Sequence, residues 1–156
     1  MEPQLKIEQL LKKAIKWCIR TERTPAEAKA WLKQKYHLDD AEASKIVSLL
    51  EQWGIIDLNR FMEYAYYELW EQKRYGRLKI RGLLESHMLP EPFIEVIIAM
   101  IDDDEYSEFL RDKIFELYES GMSPSRLLSR LVSRGFEREL IIEIMREHGL
   151  IPDEDF

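Results

Sequence analysis

Few side chains in this 156-residue sequence are of the kinds that carry chemistry. The single cysteine, Cys18, excludes an intrachain disulfide and a multi-cysteine zinc or iron–sulfur centre. It follows Ala14 by four on an apolar helical face, so it reads as a buried, inert thiol. His37, His87 and His148 fall at or near expected helix ends, where an imidazole meets the last carbonyls or the helix dipole. The run Asp102-Asp103-Asp104-Glu105 offers carboxylates for Ca²⁺ or Mg²⁺, but it lacks the alternating ligand spacing and turn glycine of a calcium loop. Placed before Tyr106, Leu110, Ile114 and Leu117, it reads as the acidic start of a helix. No Cys–His pair, nucleophile elbow or phosphate-cradling glycine loop is present. The expectation is a protein that is not an enzyme and needs neither cofactor nor metal.

Cations, by contrast, cluster. Lys73, Arg74, Arg77, Lys79 and Arg81 form a run with no acidic residue between Glu71 and Glu85. Five cations continuing across Gly76 exceed what helix capping needs, and Tyr75 in their midst can stack on a base. A second row, Arg126, Arg130 and Arg134, repeats every four residues beside Leu127, Leu128 and Leu131, with Arg138 just beyond. Its plainer role is a solvated rim whose arginine stems cover core edges. Lys29 and Lys33, with Lys35 nearby, form a smaller set. These eleven residues (Lys29, Lys33, Lys73, Arg74, Tyr75, Arg77, Lys79, Arg81, Arg126, Arg130 and Arg134) are the candidate partner contacts, for an acidic protein surface or for phosphates of single-stranded DNA. Among the other aromatics, Tyr66 and Trp70 are spaced as core residues. Tyr64 and Tyr67 fall on another face, where they pack against a neighbouring segment or a partner.

The overall balance is acidic, 23 Lys+Arg against 30 Asp+Glu, for a net charge of -7. Residues 101–156 hold 7 of those cations and 15 of the acids, so the acidity sits in the last third. This disfavours tight unaided DNA binding and points to a protein partner. No stretch approaches the roughly 20 apolar residues that span a bilayer. Met1-Glu2-Pro3-Gln4 also lacks the apolar core of a signal peptide. A soluble, cytoplasmic monomer with no membrane partner is expected.

The elements that must position these residues are helical. Leu10, Leu11, Ala14, Ile15 and Cys18 recur at helical spacing, as do Phe61, Met62, Ala65, Tyr66, Leu69 and Trp70. Phe93, Ile94, Ile97, Ile98 and Ile101 follow the same period, and so do Leu140, Ile141, Ile144 and Met145. Thr24-Pro25-Ala26-Glu27 and Asp39-Asp40-Ala41-Glu42 carry capping boxes, and Ser123-Pro124 repeats the cap-plus-proline device. Gly54, Gly76, Gly121, Gly135 and Gly149 separate the periodic runs, where a left-handed residue can close a helix. These marks predict an all-α chain with helices over 4–21, 24–36, 40–53, 58–74, 77–87, 91–101, 104–120, 124–134 and 137–148. Leu84 to Leu89 lies over Leu131 to Phe136 at an offset of 47, which also relates Ile94 to Ile141 and Ile97 to Ile144. Leu32 and Ile46 align with Leu84 and Ile97 at offsets of 52 and 51. Three tandem three-helix repeats are therefore expected, about 4–53, 58–101 and 104–148. Together with a short acidic tail, 149–156, they would make one domain, an elongated, curved, solenoid-like array.

At these positions the sequence resembles a known family. Gly76-Arg77-Leu78-Lys79-Ile80-Arg81-Gly82-Leu83-Leu84 is similar to the core motif of the bacterial regulatory protein RecX. Gly54-Ile55-Ile56-Asp57-Leu58-Asn59-Arg60-Phe61 resembles a second segment of that family, and Leu131-Val132-Ser133-Arg134-Gly135-Phe136 a third. Arg23-Thr24-Pro25-Ala26-Glu27 through Leu32 is similar to its opening motif. The ordered set spans about residues 15 to 148, with Ala28, Trp31, Leu58, Met62 and Met88 as departures. The resemblance implies tandem three-helix repeats and a non-enzymatic modulator of the RecA recombinase. Such a protein would bind RecA and its filament on single-stranded DNA. It would inhibit recombinase, ATPase and co-protease activities, with at most weak direct contact to the DNA. The alternative is a helical module that acts on nucleic acid directly.

Overall fold

The computed structural model describes residues 7–151. Residues 4–6 of the first expected helix, and residues 152–156 of the expected acidic tail, lie outside the described residues. Within them the protein is all-α, with no strand among the described residues. The helices are α1 (Ile7–Cys18), α2 (Pro25–Tyr36), α3 (Asp40–Gln52), α4 (Leu58–Tyr66), α5 (Arg77–Ser86), α6 (Glu91–Met100), α7 (Asp103–Glu119), α8 (Pro124–Ser133) and α9 (Arg138–Glu147).

Local signals set most of the starts. Thr24 and Asp39 each accept a hydrogen bond from the backbone of the glutamate three residues on, and that glutamate reaches back to the cap N–H. Asp102 and Ser123 cap α7 and α8 through the N–H groups of Glu105 and Arg126. A cap of this kind contributes about 1 kcal/mol.

The chain packs as two compact units. One comprises the described residues to 65 and the segment 85–90, and the other residues 66–84 and 91–151. Of the three limits, two fall within helices, α4 and α5, and the third just before α6. The first unit buries Leu10, Ala14 and Cys18 of α1, Ala28 and Leu32 of α2, and Ala43, Ile46, Val47 and Leu50 of α3. Trp17 and Trp31 stack at its edge with ring centroids 4.5 Å apart. Arg60 staples the turn after α3: its guanidinium pairs with Glu22 and donates to the carbonyls of Gly54 and Ile55 at 2.9 and 3.0 Å.

The second unit is built on an aromatic cluster. Trp70 lies 5.4 Å from Tyr106 and 6.0 Å from Phe109, and both of those rings contact Phe136. Each such pair adds roughly 0.5–1.5 kcal/mol beyond its area burial. Ile80, Leu84, Ile94, Ile97, Leu110, Ile114, Leu127, Leu131, Ile141 and Met145 complete this core.

The expected uninterrupted helix over 58–74 is not seen. After Tyr66 the backbone widens into a π-helical turn, Tyr67–Gln72, in which the N–H of Lys73 donates to the Glu68 carbonyl, five residues back, at 3.0 Å. The extra residue moves the inward face on by one, so the buried positions run Phe61, Ala65, Trp70. Insertions of this kind recur near functional positions. Tyr64 and Tyr67 stay exposed.

Candidate partner-binding site

The cationic run begins where α4 and its π-helical turn end. The N–H groups of Arg74 and Tyr75 return to the carbonyls of Trp70 and Leu69. Arg74 itself takes the left-handed conformation, with φ of 53°. That is the closing position glycine usually fills, and Gly76 was the residue expected to fill it. Gly76 is needed for another reason, namely room. A Cβ on Gly76 would stand 2.2 Å from the carbonyl carbon of Gly135 and 2.3 Å from the nitrogen of Phe136. Gly135, at φ of 97°, is held equally close to Lys79.

This glycine-to-glycine approach joins two segments that are some 60 residues apart in sequence. The N–H of Gly76 donates to the Arg134 carbonyl at 2.9 Å, and that of Leu78 to the Gly135 carbonyl at 3.0 Å. The N–H of Arg77 donates to the Tyr106 hydroxyl at 3.0 Å. The start of α5 and the end of α8 thus satisfy each other's unpaired backbone groups. No N–H array is left there to receive an anion.

The structure separates the cations of the run into two sets. Arg74, Arg77 and Arg81 are held by carboxylates. Arg74 pairs with Glu105 at 2.7 Å and lies over the Trp70 ring, 4.5 Å from its centroid. Arg77 pairs with Asp103, reaches Glu137 at 3.8 Å and lies over Tyr106 at 4.0 Å. Arg81 bonds Glu91 and, at 2.6 Å, Glu95. Beneath Arg77, the buried Tyr106 hydroxyl donates to Glu137, and burial together with that carboxylate pushes its pKa far up. The acidic turn 102–105 consequently does two jobs: Asp102 caps α7, while Asp103 and Glu105 neutralise two arginines.

The second set surrounds Tyr75. Lys79 Nζ lies 4.2 Å, the Arg134 guanidinium 5.2 Å and Lys73 Nζ 6.0 Å from the centroid of this half-buried ring. None of the three has a carboxylate partner among the described residues. Arg134 is fixed instead by a 2.7 Å bond to the Lys73 carbonyl. From Arg134 the row runs back along α8 to Arg130 and Arg126. Both are exposed, and neither meets a carboxylate among the described residues. No acidic residue occurs between Glu119 and Glu137. Beside the row lies an open groove of about 450 Å³ lined by Ser125, Leu128, Ser129, Val132, Ser133 and Arg138.

The smaller set differs. In the first unit Lys29 and Lys33 both bond Asp40, at 2.9 and 3.1 Å. Those two bonds hold the Asp40 carboxyl below its ordinary range.

The histidines are placed as helix-end residues, with one addition. His37 closes α2 at φ of 54°, and His148 follows α9 and packs edge-on against Phe115. His87 Nδ1 lies 3.0 Å from Glu27, and the Thr24 hydroxyl donates to the His87 carbonyl at 2.6 Å. The sequence signals gave no sign of this tie, because its partners stand about 60 positions apart. Cys18 is buried, and burial pushes its thiol up to about 11. Among the described residues no three His, Cys, Asp or Glu side chains converge as a metal site requires. No helix there is long and apolar enough to cross a membrane.

The nine α-helices among the described residues follow one another in a fold similar to that of a solved RecX structure. That structure is RecX from Lactobacillus salivarius, one of the similar solved structures, with a TM-score of 0.74 over 93% of this chain and 97% of that one. At 20% sequence identity the likeness is one of fold. The sequence matches no protein-family model and no curated protein.

Proposed function

We propose that this protein is a non-enzymatic regulator that binds the RecA recombinase or its filament on single-stranded DNA, and restrains its recombinase, ATPase and co-protease activities. The observation that supports this reading is the agreement of fold with RecX along nearly the whole of both chains. The sequence motifs quoted above point the same way. The surface offered to the partner is the Tyr75 cluster, Lys73, Lys79 and Arg134, continued by Arg130 and Arg126. Arg74, Arg77 and Arg81 are engaged by carboxylates of their own unit, and Lys29 and Lys33 by Asp40 in the first unit.

The test is RecA-dependent ATP hydrolysis on single-stranded DNA, with this protein added up to stoichiometric amounts. Slowed hydrolysis and co-sedimentation with the filament are expected. Unchanged hydrolysis together with no co-sedimentation would sink the proposal. The direct nucleic-acid module has a separate signature: equal affinity for DNA with and without RecA, weakening steeply as salt is added.

A further inference from the structure

We propose that the outer face of α6 is a contact for a second copy of this chain, two α6 helices packing antiparallel about a two-fold axis at Val96. The proposal does not rest on the RecA reading, and it departs from the monomer expected from the sequence.

Three observations carry it. First, α6 is apolar on both sides. Ile94 and Ile97 are buried, while Phe93, Val96 and Met100 are 37, 50 and 44% exposed, with Pro92 and Ala99 exposed beside them. A helix apolar all round is ordinarily covered on every face. The corresponding helices α3 and α9 supply the comparison. At the offset of 47 that relates Ile97 to Ile144, Pro92, Val96, Ala99 and Met100 stand over Glu139, Glu143, Arg146 and Glu147. At the offset of 51 that relates Ile46 to Ile97, Val96 and Ala99 stand over the exposed Lys45 and Ser48. Polar side chains thus face outward from α3 and α9 where α6 turns apolar ones to the surface.

Second, the face is complementary to itself. With two α6 helices antiparallel about Val96, that residue meets its own copy, Phe93 meets Ala99, and Pro92 meets Met100. The bulky ring of Phe93 is set against the small Ala99, as a ridge of one helix enters a groove of another. A closed two-fold makes each of these contacts twice. Third, the rim is neutral. Glu91 and Glu95 are the only charged residues of α6, and Arg81 of the same chain engages both, Glu95 at 2.6 Å. Two copies therefore approach without the repulsion of unpaired carboxylates. A strongly charged partner finds no unmatched charge on this helix, which is why a second copy is the better fit.

The exposed apolar side chains amount to roughly 300 Å² per copy. The contact is accordingly of the small class, below about 1,200 Å² in total. Association should be reversible, with a dissociation constant above about 1 µM. Two copies so paired hold Val96 and Phe93 away from any other chain.

Sedimentation velocity of the full chain, at concentrations up to about 0.5 mM and thus far above that constant, tests this. The mass should rise from one copy to two and stop there. Added salt should not dissolve the dimer, because no ion pair between copies holds it. Val96→Glu sets like charges face to face at the axis and should weaken association at least about a hundredfold. It places on α6 the residue type that α9 already carries at Glu143, so the helical circular dichroism should be unchanged. Val132→Glu, at a comparably exposed apolar position on α8, should leave association as it was. Val96→Cys gives a second measurement that needs no stable dimer. The native Cys18 is buried, so a mild oxidant such as diamide should link the new thiol to its copy across the axis. Glu143→Cys, the matching position on α9, should link far more slowly. The proposal is overturned if the mass grows past two copies, or if Val96→Glu associates as well as the unmodified protein. It is equally overturned if the unmodified protein stays single and Val96→Cys links no faster than Glu143→Cys, which would leave the α6 face to a different chain. Dimerisation without any effect on RecA would remove the RecA reading and leave this one standing.

Discussion

The glycine-to-glycine contact makes a prediction in which two like substitutions on neighbouring segments have opposite signs. A methyl group on Gly76 would sit 2.2 to 2.3 Å from three backbone atoms of Gly135 and Phe136. Backbone cannot rotate away as a side-chain tip can, so the loop after α8 must retreat. Overpacking of this kind costs roughly 1–3 kcal/mol. The retreat also stretches the bonds from Gly76 to the Arg134 carbonyl and from Leu78 to the Gly135 carbonyl, each worth about 0.5–1.5 kcal/mol. Gly76→Ala should therefore lose about 2–6 kcal/mol in total. That is a large share of the roughly 5–15 kcal/mol that holds a domain together. Gly82 lies inside α5, with nothing within 4 Å of an added Cβ. There alanine should add about 0.5–1 kcal/mol by relieving the helix of glycine's extra chain entropy. Thermal unfolding followed by circular dichroism reads both, at about 2–4 °C per kcal/mol for a chain of this size. A Gly76→Ala midpoint no lower than that of the unmodified protein would refute the close-approach argument, and a destabilised Gly82→Ala would refute the helix argument.

Two more outcomes concern the first unit. The Glu27 hydrogen bond raises the His87 pKa above its ordinary 6.5 against the opposing effect of burial. Burial alone would raise Glu27, but the His87 bond, the Thr24 N–H and the nearby charges of His87 and Arg23 outweigh it and lower the carboxyl below 4.5. The stability due to protonated His87 is fully present below pH 6.5 and is lost as pH rises through the raised value. The Glu27 share is present above pH 4.5 and is lost as pH falls through the lowered value. Urea midpoints should accordingly fall between pH 6 and pH 8, and His87→Gln should flatten that slope; an equal slope in the variant rejects the assignment. Cys18, with its thiol pushed up to about 11, should react with a thiol reagent at pH 8 far more slowly in the native protein than in denaturant. Equal rates would place it at the surface.

What the sequence made legible was chiefly local. Thr24 with Glu27, and Asp39 with Glu42, announce their helix starts because cap and partner lie three residues apart. Leu10, Ala14 and Cys18 announce a buried face by one unbroken period. Trp70 was legible as a core residue, but the break in its helix was not: the buried positions Phe61, Ala65 and Trp70 are spaced by four and then five, and only a π-helical turn reconciles them. Gly76 looked like a left-handed helix closer because glycine serves two purposes, and the sequence does not say which. The cationic run looked uniform because the carboxylates that neutralise part of it come from elsewhere in the chain. Asp103 and Glu105 stand 26 and 31 positions from their arginines. Nothing in the spacing of Lys73 to Arg81 distinguishes the arginines that meet those acids from the lysines that do not.

The joint between α5 and α8 also bears on the order in which the protein is made. A chain emerging from the ribosome completes residues 73 to 86 long before residues 134 to 136 exist. Until then the amides of Gly76 and Leu78 have no acceptor but water, so the first turn of α5 stays frayed and exchanges its hydrogens freely. Arrival of the Arg134 and Gly135 carbonyls closes that turn and sets Arg134 against Tyr75 in the same event. A nascent or truncated chain that stops short of α8 thus carries its whole central cation run and still lacks the surface those cations build.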